Sequence, residues 1–441
     1  MARAKKETAL TPEERLQAAL VPDWEWPYKL PGNWCWTYLT KAAECLDNFR
    51  KPINATERAG RNGNVPYYGA TGQVGWIDDF LTDEDLVLLG EDGAPFLDLI
   101  KDKAYLITGK AWVNNHAHIL RSLFGDTGNR YLLHYLNSFN YAGYVNGTTR
   151  LKLTRASMDT IPIPLPPLAE QQRIVDRIES LFAKLDEAKE KAQAVVDSFE
   201  TRKTAILHKA FTGELTAKWR EEHGVGMESW KVRTLDSVCS SIFDGDHMPP
   251  PKAESGIPFL VISNVNTGHL TFENTRFVPQ EYYDTLSDTR KPQLGDVLYT
   301  LVGSFGIPVV VNSKRPFCFQ RHMALLRPID VSPQFLWYIL QTPEMYDKAS
   351  SIATGTAQLT VPIKGLRAMT IPHPKIAEQV EIVRILDGFF AREQSAKEAA
   401  EAALDQIDLM KKSILARAFR GELGTNDPNE ESAVELLKQI I

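Results

Sequence analysis

Residues 147–215 align with residues 355–423 at a constant offset of 208, without a gap, and about 27 of the 69 pairs are identical. GTTRL at Gly147–Leu151 answers GTAQL at Gly355–Leu359, and LAEQQRIV at Leu168–Val175 answers IAEQVEIV at Ile376–Val383. KTAILHKAFTGEL at Lys203–Leu215 answers KKSILARAFRGEL at Lys411–Leu423. An ungapped repeat of this length means one supersecondary unit built twice. With 441 residues, more than a single hydrophobic core can organise, the chain is expected to hold at least two domains arranged around the two copies.

Each copy is expected to be a long helix. Pro164 and Pro166 precede the first and Pro372 and Pro374 the second, where a helix has yet to begin. Gly213 and Gly421 follow the last apolar residues, as C-terminal caps do. Between them Ile174, Ile178, Leu181, Leu185, Ala188, Ala192, Val195 and Phe199 recur in steps of four and three, a coiled-coil seam. The matching stripe is Ile382, Leu386, Phe389, Glu393, Ala396, Ala400, Ala403 and Ile407. Its alanines are expected to let two helices approach closely, and Glu393 reads as a tolerated edge position. About 40 residues per helix is roughly 60 Å of length. The segment 224–374 joins the end of one helix to the start of the other. A compact domain of that size has a radius of gyration near ~15 Å, too small to bridge that distance, so the helices should pair antiparallel.

The segments before each helix are rich in Gly, Pro and aromatic residues, with short β-like runs. Examples are DLVLL (Asp85–Leu89), IPFLVIS (Ile257–Ser263), GDVLYTLVG (Gly295–Gly303) and IPVVV (Ile307–Val311). Fainter echoes link them: NHAHILR (Asn115–Arg121) with RHMALLR (Arg321–Arg327), YLLHYL (Tyr131–Leu136) with FLWYIL (Phe335–Leu340), and an opening Trp at Trp34 and Trp230. The fold class is therefore α+β: two diverged globular heads on two long antiparallel helices, related by an internal pseudo-twofold. The expected divisions are a first head at 1–165 with an extension at 1–30, helices at 166–215 and 374–423, a second head at 216–373, and a tail helix at 424–441.

The net charge of −6 argues at first against nucleic acid. The charge is unevenly placed, however. Residues 1–165 carry about 18 basic and 19 acidic groups and residues 224–374 about 13 of each, so the excess acid lies mainly in 375–441. Near-neutral heads can present a basic face, but such a chain binds DNA weakly without partners. No run of apolar residues is long enough for a membrane span, and residues 1–10, MARAKKETAL, lack the apolar core of a signal peptide, so a cytoplasmic location is expected. Cys35, Cys45, Cys239 and Cys318 are scattered without a CxxC pair and read as reduced structural thiols.

The repeated LPPLAEQQRIV and AFTGEL patterns, duplicated about 200 residues apart, resemble the specificity subunits of type I restriction–modification enzymes. VPYYGATGQVGWI (Val65–Ile77), ITGKAWVNNHAHIL (Ile107–Leu120), GDVLYTLVGSFG (Gly295–Gly306), GTAQLT (Gly355–Thr360) and the tail NDPNEESAVELLKQI (Asn426–Ile440) extend the resemblance over nearly the whole chain. The resemblance implies two target-recognition domains reading the halves of an asymmetric bipartite site in double-stranded DNA, across a fixed spacer. It also implies assembly with two S-adenosylmethionine-dependent methyltransferase subunits, and with motor–nuclease subunits that bring ATP and Mg. The chain itself would then be non-catalytic and bind no cofactor directly. Half-sites about one turn apart, roughly 34 Å, face one side of the duplex, which suits two heads on a rigid spacer.

Base edges are read by Arg, Lys, Asn, Gln, Ser or Thr, whereas phosphates accept almost any donor. In the first head Tyr67, Tyr68, Thr71 and Gln73 lie in a glycine-containing loop that would lay polar groups against DNA; a turn over buried tyrosines fits it equally. Lys110, Asn114, Asn115 and His116 form the second candidate cluster, with an internally bonded turn as its alternative. His116 and His118, two residues apart and lacking further ligands, read as structural rather than metal-binding. In the second head the counterparts are Ser263, Asn264, Asn266, Gln320, Arg321 and His322. Thr148, Thr149, Arg150, Thr356 and Gln358 fall within the repeat, which suits phosphate contact or scaffold packing.

Signatures of catalysis are missing. There is no (N/D)PP(Y/F) tetrapeptide; Pro249–Pro251 in HMPPPK lacks the preceding Asn or Asp. No GxxxxGK(S/T) loop occurs, since Gly109-Lys110 is followed by Ala111. Asp23, Glu25 and Lys29 in PDWEWPYK read as a surface turn rather than a nuclease cluster. The competing readings are a coiled-coil interaction protein and a stand-alone nuclease.

Overall fold

The computed structural model describes residues 11–245, 250–356 and 358–441. The signal-peptide reading of residues 1–10 and the position of Pro249 lie outside the described residues. The chain divides into two compact units, one made of residues up to Gln193 with Glu401–Ile441, the other of Ala194–Ala400.

The first unit is built around the strand Leu86–Gly90, whose five residues are all buried. Val87 and Leu89 pack with Tyr131, Leu132, Tyr135 and Leu136 of the helix Gly125–Ser138. Leu86 and Leu88 turn the other way, onto Ala111, Val113 and Ile119. A strand covered on both faces has no polar side, which is why this stretch reads as an apolar run rather than an alternation. Its sheet runs Ala43–Cys45, Ala117–Ser122, Leu86–Gly90, Ala104–Ile107. A second sheet runs Gly72–Ile77, Val65–Gly69, Lys110–Val113, Thr82–Asp83, with the middle pair parallel. The strands Cys35–Tyr38 and Pro162–Leu165 close the base beneath the long helix.

The second unit repeats this plan. Its four-stranded sheet runs Cys239–Asp244, Met323–Pro328, Val297–Thr300, Pro308–Val310, and its smaller sheet Arg276–Val278, Ile257–Leu260, Cys318–Phe319. Val297 and Tyr299 face the helix Pro333–Leu340 while Leu298 faces the smaller sheet. The pair Lys231–Thr234 and Thr370–His373 corresponds to the base of the first unit.

The long helices are Leu168–Asp197, Phe199–Phe211 and the unbroken Ile376–Ala418. The first copy is thus interrupted at Ser198, which the heptad stripe does not reveal. There the Ser198 hydroxyl donates to the Ala194 carbonyl and accepts from Arg202, whose guanidinium also bonds the Val195 carbonyl at 3.1 Å. Side-chain competition of this kind loosens a helical turn. Gly213 and Gly421 follow the helices at φ +85° and +73°, the left-handed conformation expected of caps. A Cβ on Gly421 would also lie 2.4 Å from Pro31 Cγ, so this close approach requires glycine.

Within each unit the helices run antiparallel. In the first, Lys189 pairs with Asp408 at 2.9 Å and Asp186 with Lys411. In the second, Arg202 pairs with Glu393 at 2.7 Å, and Lys397 lies over the Phe199 ring. Two expectations need correcting here. Glu393 is a cross-helix ion-pair partner rather than an idle edge residue. Ala188, Ala396 and Ala403 are exposed while Ala400 is buried and Ala192 half-buried, so the seam packs closely at Ala400 and Ile407 as well as at Ile174, Ile178, Ile382 and Leu386, which are fully buried in their heads. At about 1.5–3 kcal/mol for each buried aliphatic side chain, Ile174, Ile178, Ile382 and Leu386 each contribute to the attachment of helix to head.

The repeated Ala-Glu-Gln has a mechanical explanation. Glu378 is buried and accepts from Arg220 at 2.7 Å, Thr216 at 2.7 Å and the Trp230 indole at 3.0 Å. Gln379 donates to the Pro374 carbonyl at 2.9 Å and accepts from the Ser332 amide. In the other copy Glu170 takes Thr425 and Arg173, and Gln171 takes the Pro166 carbonyl. Asp23–Glu25 forms an exposed helical turn, and no helix among the described residues is long and apolar enough to cross a membrane.

Candidate nucleic-acid interface

Three segments meet at one place in the first unit. The hairpin Val65–Gly69/Gly72–Ile77 turns at Ala70 and Thr71, and the parallel strand Lys110–Val113 ends at Asn114–His116. The third segment, the repeated Gly147–Leu151 turn, is tied in by the Gly93 amide, which donates to the Leu151 carbonyl at 3.0 Å. Together they line an open depression of about 560 Å³ that includes Thr71, Val74, Asp92, Asn114, His116, Thr149 and Arg150. Asp92 pairs with Arg150 and lies 3.3 Å from His116 Nδ1. Asn114 is nearly buried; its Oδ1 accepts from the His116 amide at 2.8 Å and holds the turn in shape.

Not every candidate reaches this surface. Tyr67 is buried with its hydroxyl near the Ile53 carbonyl, and Tyr68 packs on Tyr105. Gln73 is exposed on the hairpin and donates to the Gly75 carbonyl at 3.1 Å. Lys110 sits at the opposite end of its strand from Asn114, over the Phe80 ring at 4.5 Å. Asn115 is exposed beside His116.

The second unit repeats the arrangement. Strands Ile257–Leu260 and Cys318–Phe319 are parallel neighbours, and the segments leaving their ends carry Ser263, Asn264 and Asn266, and Gln320, Arg321 and His322. The His322 carbonyl accepts from the Leu301 amide at 2.8 Å, as the His116 carbonyl accepts from Glu91 at 2.8 Å. Val361 then donates to Leu301 at 2.9 Å, as Leu153 donates to Glu91 at 2.8 Å, so the Gln358 turn sits where the Arg150 turn sits. Ser263, Asn266, Arg321 and Gln358 are exposed, and Gln320 half-buried. Burial and the neighbouring Arg321 hold His322 below its ordinary pKa. Asn264 is buried, accepting from the Val261 amide and donating to the Glu273 carbonyl, both at 3.0 Å. Sequence reasoning missed Asp92 and Val74; nothing local marks an aspartate that meets its arginine 58 residues later.

Under the first surface lies a charged brace. The ligand atoms of Cys45, Asp47 and His118 lie within 4.8 Å of one another, but each is engaged by protein partners. His118 bonds Asp47 at 2.7 Å and the Leu153 carbonyl at 3.0 Å, while Arg50 pairs with Asp47 at 3.0 Å and with Glu91. Burial, reinforced by Asp47, pushes the Cys45 thiol up to about 12. Burial alone would raise Asp47, yet His118 and Arg50 hold it below the usual carboxylate range. Every charge has a partner, as low-dielectric surroundings demand, so the cluster acts as a brace beneath the loops.

The family model for the type I restriction modification DNA specificity domain matches residues 46–196 and 227–404. The Escherichia coli K12 EcoKI type I restriction enzyme specificity subunit is 28% identical over 336 residues, 70% of each chain. The crystal structure of the HsdS subunit from Thermoanaerobacter tengcongensis superposes with TM-score 0.58 at 21% identity, covering 90% of this chain and 100% of that one. A structure from work on assembly and conformational transition of the type I R-M system gives 0.63 at 21% identity, with the same coverage. At that identity the two structures speak for the shared mixed fold of two domains joined by long helices. This chain belongs to the type I restriction–modification DNA specificity family, whose subunits recognise DNA sequence and are not themselves catalytic.

Proposed function

We propose that the chain reads an asymmetric two-part site in duplex DNA, one half per head, with the paired helices fixing the spacer between them. The observation that carries this reading is the repeated three-segment surface. Both units hold the same backbone frame but fill it with different polar side chains: Thr71, Asn115, His116, Thr149 and Arg150 in one; Ser263, Asn266, Gln320, Arg321, His322 and Gln358 in the other. One frame with two chemistries suits two different half-sites. Tyr67, Tyr68, Asn114 and Asn264 serve this surface from below by shaping its loops. Gln73 and Lys110 are placed for flanking phosphates.

The domain limits that go with this reading are a first head at 1–165, helices at 166–215 and 374–423, a second head at 216–373 and a tail at 424–441. Few cations face either surface, so affinity must come largely from partners. Those partners are two methyltransferase subunits carrying S-adenosylmethionine and motor–nuclease subunits using ATP and Mg, assembled in the cytoplasm. Co-expression with the cognate methyltransferase subunits and long-read mapping of modified adenines tests the reading. A single two-part motif with a fixed spacer is expected. Modification without a motif, or none from a stable complex, would leave an interaction scaffold instead.

A further inference from the structure

We propose that the duplicated turns read bases: Arg150 takes a guanine in one half-site and Gln358 an adenine in the other. This rests on the DNA-reading function proposed above. The two side chains occupy equivalent positions. Gly147 and Gly355 adopt φ +107° and +117°, and a Cβ on either would lie 2.4 Å from the carbonyl oxygen of Arg150 or Gln358. Each turn is then fixed by one amide–carbonyl bond of 3.0 Å, Gly93 to Leu151 and Gly303 to Leu359. The side chains cross those same glycines: a Cβ on Gly93 would lie 3.3 Å from Arg150 Nε, and one on Gly303 would lie 3.1 Å from Gln358 Nε2.

The supporting residues differ as the tips do. Asp92, in a backbone bridge with Lys152, holds Arg150 through Nε, while Nη2 of this 61% exposed side chain lies 3.5 Å from His116 Nδ1, a contact long enough for a base to displace. The residue in the same bridge of the second unit is Val302, opposite Thr360, beside the neutral Gln358. A carboxylate is thus present where a guanidinium must be aimed and absent where an amide stands. Phosphates are alike along both strands and give no reason to exchange one donor for another, yet the repeat keeps Gly, Thr and Leu and exchanges Arg for Gln. A guanidinium fork matches guanine O6 and N7, and a carboxamide matches adenine N6 and N7.

The test is modification mapping of R150Q, R150K and Q358R complexes with the cognate methyltransferase subunits, beside the wild type. Arg150 is 61% exposed, so R150Q removes no core contact; R150K keeps the charge and loses the fork. Both variants are expected to relax preference at one guanine by roughly 10-fold, leaving the other half-site unchanged. Q358R should relax one adenine in the opposite half. The proposal is overturned if the variants lower modification evenly with an unaltered motif, if they change nothing, or if the wild-type motif lacks a guanine in one half or an adenine in the other. A wild type without any fixed motif would overturn the underlying function as well, which separates the two failures.

Discussion

Asn264 donates to the Glu273 carbonyl and accepts from the Val261 amide, so Asn264→Ala leaves two buried backbone groups without partners. A cost of about 2 kcal/mol is expected from denaturant unfolding. Because both ends of the side chain are bonded to the loop's backbone, mapped modification should weaken without a change of motif; a shifted motif would make Asn264 a reader. His134 titrates in a way that can be measured. Burial, against the pull of Glu179, lowers it to about 4 from an ordinary 6.5. The folded chain therefore favours the neutral ring. That contribution is complete above about pH 6.5 and is lost as pH falls toward 4, by at most about 3 kcal/mol. His134→Tyr, which copies Tyr338 bonded to Asp387 in the other unit, should flatten the stability difference across that window. Parallel pH curves for variant and wild type would refute the assignment. Sequence alone placed residue types well at this scale and orientations poorly: adjacent Tyr67 and Tyr68 point to opposite faces of one strand, and only the core decides which is buried.

The Glu-Gln clamp and the seam set the energetics of the elements. Arg220 and Glu378 are 8% and 1% exposed, so Arg220→Ala strands a buried carboxylate and should cost about 3–5 kcal/mol in the second unit. A change below 1 kcal/mol by calorimetry would show that water or Trp230 suffices. Along the helices, Ile174→Ala and Ile382→Ala should each cost about 2–5 kcal/mol, while serine at exposed Ala188 or Ala396 should stay within about 0.5 kcal/mol. Equal costs would mean that the apolar seam runs evenly after all. The helices were legible because their seam and caps are periodic and local, and the duplication because Ala-Glu-Gln recurs in register, with Glu170 and Glu378 both buried. The break at Ser198 was not, since a lone serine is ordinary in a helix and its effect depends on Arg202 one turn away. The sheets were visible only as apolar runs; their strand order depends on pairings such as Leu86–Gly90 with Ala117–Ser122, whose partners lie far apart in sequence.

At the scale of the molecule, the proposed reading puts two different sets of polar side chains on two copies of one frame, so specificity is expected to follow from which head is present. The candidate surface was legible only in outline, because Asp92, Asn114 and Arg150 converge through tertiary pairing rather than spacing. The most direct measurement is modification mapping for a chain whose second head is replaced by a second copy of the first, co-expressed with the methyltransferase subunits. The two-part motif is predicted to become an inverted repeat of the half read by the first head. An unchanged asymmetric motif from an active complex would contradict the assignment of one half-site to each head.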